Sequence, residues 1–550
     1  MAKNSLFALN DDSVLERIIS QRYSSTQHPV VSVMTQVLGN EISKLYSNFG
    51  NEVSWYGIFL YLVNFFIAIS ALRIAFMTGR RINLYLSIVF IILVVPFNVL
   101  TPTYTVTSVL SSGVGLLGIV VASKFSKEIF DWFIYSLLIL LSFLIRPEAL
   151  VGTLVFLGPT SLLFILIYRK IVSKKGLILT SVATLGFLGF FNYLQVTFLA
   201  KLSRIEPNLA EYLNFQAIRH EIFYTPAFLK LNQGVISGDI LNGIWSKIDF
   251  IILRDWAYAD SNVFSYFNIL SGRNNVSRYI GFEGVLNSDF SQVFEVITNS
   301  ISEVIPVLFI ILFVAILIFY RNYLNISNNM LSFALVTSYA MGFFYTAAVL
   351  RLPFRVIFPY LALLILALIL FEKVAMDFSL NRLFSKVVLF VIVIQLGYLQ
   401  FNSYLGTIGI NSLNMKRLEF AENRDRELAQ AFQTATFIGP LAYFPISIQG
   451  SYFSNLNWQS GVNTVALDWS TFSPTWRAQV AKLNLDTNNL YNSLAKQENV
   501  YWVSNSYLAE ILEMYMNDRQ IYRGKLCSVA NLSGSDQAEI FTYQAKETDC

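Results

Sequence analysis

Residues 128–168 read EIFDWFIYSLLILLSFLIRPEALVGTLVFLGPTSLLFILIY, two apolar runs parted by the polar triplet Arg146-Pro147-Glu148. Each run approaches the twenty or so residues that carry a helix across a roughly 30 Å hydrocarbon core at about 1.5 Å per residue. The triplet is long enough only for a turn, so the pair reads as two antiparallel transmembrane helices meeting at one membrane face. Similar runs recur near 53–77, 83–100, 103–123, 128–146, 150–168, 177–200, 302–320, 329–350, 355–372 and 385–404. The expected fold is an all-α polytopic membrane protein with about ten transmembrane helices.

Composition agrees with that reading. The chain of 550 residues is 55% hydrophobic and 13% charged, against roughly 25% charged residues in an ordinary soluble domain. Its formal charge of +4 is small and the basic residues are scattered through short loops. They carry topology information and leave no basic footprint for nucleic acid. The 47 Phe and 29 Tyr suit lipid-facing and interfacial positions, where a ring is apolar on one side and wet on the other.

The loops set an orientation, because Lys and Arg collect on the cytoplasmic side of short connections. Arg80 and Arg81 follow the first span, Lys124 and Lys127 the third, and Arg169, Lys170, Lys174 and Lys175 the fifth. Arg321 follows the seventh, and Lys373, Arg382 and Lys386 the ninth. The alternate connections, TPTY, RPEA, the long 201–301 segment and RLPF, then face the exterior. The organisation expected is an outer-face segment over 1–52, a transmembrane domain over 53–404, and an extracytoplasmic soluble domain over 405–550. With 1–52 outside and no apolar segment before it, an upstream helix lost through a misassigned start codon is the preferred explanation. Apolar coding sequence in frame upstream of Met1 would support it.

Within the transmembrane domain, the outer loop 201–301 is amphipathic, as in LAEYLNFQAI and ILNGIWSKIDFIIL, and reads as interfacial helices. Beyond 405, NMKRLEFAENRDRELAQAFQTA reads as a solvated helix, and LAYFPISI, ENVYWVS and EIFTYQ read as strands of a small α/β or α+β domain. The cysteines Cys527 and Cys550 both lie there without CxxC spacing, and can pair as a disulfide if that domain meets an oxidising compartment. Two histidines, His28 and His220, exclude a His-rich metal site.

Chemistry has four candidate locations. Asp11 and Asp12, ahead of SVLERIIS, place two carboxylates at the membrane surface. One could deprotonate an acceptor hydroxyl while the other orients it or holds a divalent cation against a phosphate. Helix capping is the more economical reading of them, since Ser13 and Glu16 have capping-box spacing and Asp is favoured at a helix N-terminus. Arg146 and Glu148 interrupt an apolar run, where ionisable groups are expensive and an anionic headgroup is the natural partner of Arg. The plainer alternative is that Arg146 snorkels while Pro147 and Glu148 start the next helix.

Arg351 and Arg355, in RLPFR, stand in an outer turn where few basic residues are expected. Two guanidinium groups four residues apart can grip a pyrophosphate or lipid phosphate, or simply anchor to headgroups. Pro102 and Thr103-Tyr104-Thr105 line the neighbouring outer turn. Last, Lys247, Asp249, Arg254, Asp255, Trp256 and Asp260 form a charged, aromatic cluster. Trp256 and Asp255 could receive a sugar there, although a solvated, self-paired helix face is the more economical reading. No Walker loop, HExxH, GxSxG or GxGxxG context occurs, so the energy for any reaction has to arrive with an activated donor.

An acidic pair in the first outer segment, multiple spans, a long interfacial outer loop and a soluble outer C-terminal domain resemble the GT-C class of membrane glycosyltransferases. The stretches NDDSVLERIIS, HPVVSVMTQVLGNEISKLYSNFGNEVSWYGIFLYL and RLPFRVIFP also resemble bacterial membrane proteins grouped near that class. The likeness covers residues 10–404. It implies a bacterial cytoplasmic-membrane enzyme that moves a sugar from a polyprenyl-phosphate carrier onto a glycan, lipid or protein at the outer face, with inversion. In that class an aspartate of the first loop is the general base or a metal-linked acceptor-binding residue, a role that falls on Asp11 or Asp12. Arg146, Arg351 and Arg355 would bind the donor phosphate. The helix that precedes the acidic loop in the class is missing from this sequence. A transporter or flippase of lipid-linked saccharides and a non-enzymatic envelope assembly protein are the rival readings; the sequence shows no inverted repeat of the kind common in transporters.

Overall fold

The computed structural model describes residues 15–16, 18–20, 34–50, 53–77, 103–126, 128–168, 173–206, 208–223, 245–275, 326–349, 359–364, 366–367, 432, 434–440, 463–468, 470–519, 521, 523–532 and 538–545. Helix α1 (Gln36–Phe49) leads into α2 (Trp55–Met77), α3 (Tyr104–Phe125), α4 (Ile129–Ile145), α5 (Pro147–Ile167) and α6 (Lys174–Ile205). Then come α7 (Leu209–Phe223), α8 (Lys247–Arg254), α9 (Tyr266–Asn275) and α10 (Ile326–Val349). Among the described residues, 4 helices are long and apolar enough to cross a membrane, namely α2, α3, α5 and α6 from Gly176 onward, while α4 is apolar but shorter. The spans expected at 83–100, 302–320 and 385–404 lie outside the described residues, as does most of 355–372.

The axis of the bundle is α3, buried along almost its whole length. Its sequence accounts for this. Lipid offers no hydrophobic drive between helices, so close packing of small residues and interhelical hydrogen bonds hold them together. The Ser111 hydroxyl donates to the Leu138 carbonyl of α4 at 2.7 Å, Ser112 and Thr153 of α5 share a bond of 2.7 Å, and Asn64 of α2 donates to Thr107 at 3.1 Å. A Cβ on Gly115 would stand 2.9 Å from the Tyr135 carbonyl oxygen, so α3 and α4 touch nearly backbone to backbone. Phe156 of α5 meets Tyr339 and Phe343 of α10 edge-on at 5.1 and 4.9 Å, and stacks on Tyr360 at 4.2 Å.

The helices alternate in direction. At one end of the bundle Arg73 of α2 pairs with Asp131 at 2.8 Å and Glu128 at 2.7 Å, the Ser173 amide donates to the Ser123 carbonyl at 2.8 Å, and Lys124 lies over the Tyr168 ring at 4.3 Å. The opposite end holds Thr103, Arg146 and the segment that precedes α2. There the Thr35 hydroxyl donates to the Leu144 carbonyl at 2.8 Å, which seats the start of α1 on the end of α4.

The remaining elements are β1 (Thr436–Pro440), β2 (Asn463–Leu467), α11 (Pro474–Lys482), α12 (Leu490–Lys496), β3 (Val500–Ser504), α13 (Ser506–Asp518), β4 (Gly524–Leu532) and β5 (Ala538–Ala545). They form one sheet of order β2-β1-β3-β5-β4. Strands β2, β1 and β3 run parallel, and β5 and β4 join antiparallel. ENVYWVS contains β3 and EIFTYQ lies within β5; LAYFPISI and most of the expected solvated helix fall outside the described residues. Alternate residues face opposite ways. Phe437, Ala466, Val503 and Ile540 belong to the apolar cluster that runs through the helical bundle, whereas Ile438, Val465, Trp502 and Phe541 enter a second core.

That second core includes a stretch expected to lie on a membrane surface. Phe250, Ile252 and Leu253 of α8, with Tyr258 and Phe264, are buried there against Leu490, Trp502, Leu512 and Tyr515. Backbone bonds fix the strap: Leu490 N donates to the Ala259 carbonyl at 3.0 Å and Ser261 N to the Asn488 carbonyl at 2.7 Å. The apolar face of 245–264 is thus covered by the sheet and its helices.

Candidate functional site

Arg146 is the single extended residue between α4 and α5, and Pro147 occupies the first turn of α5, where its missing N–H leaves no bond unmade. One Arg146 nitrogen donates to the Thr105 hydroxyl at 2.5 Å, the guanidinium carbon lies 5.2 Å from the Tyr104 ring centre, and Nε is 3.8 Å from a Glu148 oxygen. The N-terminal end of α3 therefore meets the RPE turn. The Arg146 side chain is 23% exposed and that of Glu148 73%, so the cation is held in the protein and the carboxylate reaches outward.

Helix α7 brings two further basic residues. The His220 side chain is exposed. Desolvation, with the charges of Arg146 and Arg219, holds it below its ordinary pKa against the opposing pull of Glu148 and Glu221. Arg219 is buried against the face of the Trp256 indole, its Cζ 3.4 Å from the ring centre, with Tyr258 at 5.2 Å and one nitrogen donating to the Leu253 carbonyl at 3.3 Å. A desolvated cation against an indole face is worth about 2 kcal/mol. Trp256 is itself unusual, with φ of 61°, a backbone region that a bulky side chain enters only under constraint. It packs on both the bundle core and the sheet core, so the site stands where the two meet.

The sequence candidates divide accordingly. Arg146 and Glu148 come together, and Trp256 pairs separately with Arg219 of α7. Asp255 is engaged by its neighbour Arg254 in two bonds of 2.6 and 2.7 Å. Asp249 is fully buried; it closes a capping box with Ser246 and pairs with Arg519. Asp260, also buried, accepts from the Tyr515 hydroxyl at 3.2 Å, and burial raises its carboxyl pKa. Both aspartates thus secure the strap, and the cluster is not one solvated face. Asp11, Asp12, Arg351 and Arg355 lie outside the described residues. Tyr360, five positions after Arg355, donates to the Ala149 carbonyl at 3.4 Å in the first turn of α5.

Arg219 and His220 were not singled out from the sequence. The signal was available: two adjacent basic-type residues in an outer segment break the positive-inside rule as Arg351 and Arg355 do. Among the described residues no group of three His, Cys, Asp or Glu side chains is arranged to hold a metal ion. Cys527, on β4, is buried and disulfide-bonded, and Cys550 lies outside the described residues.

The chain is similar to ArnT. Superposed on the crystal structure of ArnT from Cupriavidus metallidurans in the apo state, it gives a TM-score of 0.38 at 9% identity over 98% of this chain and 94% of that one. Against ArnT from the same organism bound to undecaprenyl phosphate the TM-score is 0.37 at 10% identity, with 98% and 94% covered. No family model matches the chain, and no curated protein matches it. Likeness at this level assigns no chemistry, which has to come from the site's own residues.

Those residues fall into two groups, Arg146 with Thr105, Tyr104 and Glu148 at the α4–α5 junction, and Arg219 with Trp256 and Tyr258 on α7 and the strap. Arg146 and Arg219 supply fixed positive charge, His220 an imidazole held below its ordinary pKa, Glu148 an outward carboxylate and Trp256 an indole face. Guanidinium groups pair with anions and an indole face packs on apolar surface.

Proposed function

We propose that the protein is a membrane glycosyltransferase that moves a sugar from a polyprenyl-phosphate carrier to a glycan, lipid or protein acceptor at the outer face of a bacterial cytoplasmic membrane. The observation that supports the proposal is Arg146 held by Thr105, Tyr104 and Glu148 at the end of the bundle opposite Arg73 and Lys124. Basic residues mark the latter end as cytoplasmic. About ten spans and an extracytoplasmic sheet follow from the same assignment, and the disulfide at Cys527 fits an oxidising compartment.

The acceptor hydroxyl oxygen attacks the anomeric carbon from the face opposite the phosphate, forming the new glycosidic bond. The carbon–oxygen bond to phosphate breaks, and its electron pair leaves with the polyprenyl phosphate. Asp11 or Asp12 takes the hydroxyl proton, while Arg146, with Arg351 and Arg355, stabilises the charge gathering on the leaving group. Displacement in line inverts the anomeric centre. Trp256 and Glu148 contact the sugar, one by stacking and one by hydrogen bonds to hydroxyls. The test is turnover of radiolabelled undecaprenyl-phosphate sugars by membranes carrying the Asp11→Ala, Asp12→Ala double variant. Loss of transfer with protein levels unchanged is the expected result, and full retention would remove the proposal.

A further inference from the structure

The end of the bundle opposite Arg146 holds polar groups to which the proposed chemistry gives no task. Asp131, in the first turn of α4, is buried at 1% exposure. It accepts from the Arg73 guanidinium at 2.8 and 3.2 Å and from the Ser126 hydroxyl at 2.5 Å. Arg73 also donates to Glu128 at 2.7 Å, and the side chains of that second pair are 41% and 66% exposed. The guanidinium thus reaches from a dry carboxylate to the surface.

Two hydroxyls lie one turn further into the bundle. Tyr135 follows Asp131 by four residues on α4, and Ser70 precedes Arg73 by three on α2, spacings that keep each on the face of its charged neighbour. Arg73 stands near the end of α2 and Asp131 at the start of α4, so the two helices run antiparallel and the ion pair fixes their register. At about 1.5 Å per residue, Ser70 is then about 4.5 Å and Tyr135 about 6 Å inward of the pair, nearly level with each other. Asp131 and Arg73 both act electrostatically on the Tyr135 hydroxyl, and helical side chains lean towards the N-terminus, here towards Asp131. The Tyr135 ring is laid against Gly118 of α3, where a Cβ would collide with it.

Tyr135 and Ser70 are 0% and 1% exposed, and neither hydroxyl has a hydrogen-bond partner among the described residues. A hydroxyl without a partner is costly in a bundle that lipid surrounds, and internal water satisfies such groups, each molecule making about three bonds. The charges narrow the choice of ligand. A cation is opposed by Arg73 and an anion by Asp131, while a small neutral molecule that both donates and accepts suits all three groups. Asp131 Oδ1 takes only one of the bonds above, so it has room for another donor.

We infer that water is bound beside the Arg73–Asp131 pair, between α2, α3 and α4. It accepts from the Tyr135 phenol and donates to Asp131 Oδ1 and to the Ser70 oxygen. Such a molecule ties the helices together where lipid supplies no hydrophobic drive between them. The inference is independent of the glycosyl-transfer reading.

Hydroxyl radicals generated from bound water by a synchrotron X-ray pulse oxidise the side chains that touch it, and dry side chains stay unmodified. The full-length protein in lipid nanodiscs is pulsed, digested and read by mass spectrometry. Oxidation of Tyr135 is expected, with none at Tyr491, which is equally buried but donates to the Ala257 carbonyl. Ser70→Val puts methyl groups in place of the hydroxyl and should abolish the Tyr135 label. An unmodified Tyr135 in the parent would overturn the inference, and is the result expected if the two hydroxyls bond each other directly. A Tyr135 label that persists at the parent level in Ser70→Val would also overturn it. Should Ser70→Val not fold, Ser70→Ala, smaller than the native residue, should lower the label, and an unchanged label there tells against the site in the same way.

Discussion

Replacing Trp256 by glycine and by alanine separates two forces that act on one residue. Both changes remove the stack on Arg219, worth about 2 kcal/mol for a desolvated cation–π pair. Both also expose the area beneath a half-buried ring, on the order of 100 Å² at roughly 25 cal/mol per Å², or about 2.5 kcal/mol. The two differ in backbone. At φ of 61° alanine keeps a left-handed cost of about 1 kcal/mol that glycine does not have. Glycine ordinarily destabilises a regular element relative to alanine by roughly 0.5–1 kcal/mol, so the sign here is reversed. Local opening of the 245–264 strap should become easier by about 3.5 kcal/mol in Trp256→Gly, roughly between two and three orders of magnitude in amide exchange. It should ease by about a further 1 kcal/mol in Trp256→Ala. Hydrogen exchange of peptides from 245–264, read by mass spectrometry on the purified protein in nanodiscs, measures both. Slower exchange in the alanine variant than in the glycine variant would refute the strained conformation, and parent-like exchange in both would refute the stack.

Arg519→Met leaves the Asp249 carboxylate buried without its cation and should cost about 3 kcal/mol, the low end for such a pair because Arg519 is 31% exposed. Adding Asp249→Asn should return part of that loss, as thermal midpoints will report. Gly115→Leu should abolish stable expression of the bundle, since the Tyr135 carbonyl already stands 2.9 Å from where a Cβ would be; wild-type yield in detergent would contradict the packing of α3 on α4. The lowered pKa of His220 gives a pH dependence of defined sign. The unfolded chain binds the extra proton first, so stability present above about pH 6.5, the unperturbed His value, declines as pH falls below it. His220→Gln should flatten that slope in melting curves recorded across pH 5–8, the range in which a histidine titrates.

Apolar runs are legible because length alone decides whether a helix can span lipid, and α4 and α5 part at the RPE turn where the charges interrupt the run. Strands β3 and β5 are legible by alternation, as Trp502 and Val503 or Ile540 and Phe541 enter different cores. Partners distant in sequence are not. The cluster around Trp256 resembles a solvated face because Asp249 meets its cation 270 residues downstream and Asp260 its hydroxyl 255 residues downstream. An amphipathic pattern also says that 245–264 has an apolar face without saying what covers it, and a sheet and a membrane surface are equivalent to that pattern. Glu16 illustrates the same limit, since capping-box spacing with Ser13 offers a local explanation while its hydrogen-bond donors Tyr46 and Ser54 lie 30 and 38 residues away.

The central claim is that the Arg146 end breaks a sugar–phosphate bond, and one measurement addresses it most directly. The purified protein in proteoliposomes is given undecaprenyl-phosphate pentoses and hexoses radiolabelled in the sugar, together with a membrane extract as acceptor source. The account predicts that label leaves its carrier for an acceptor, with undecaprenyl phosphate released in equal amount and an inverted anomeric centre in the product, and that Arg146→Gln abolishes the transfer. Label that crosses the bilayer still joined to its carrier, with no undecaprenyl phosphate released, would contradict it.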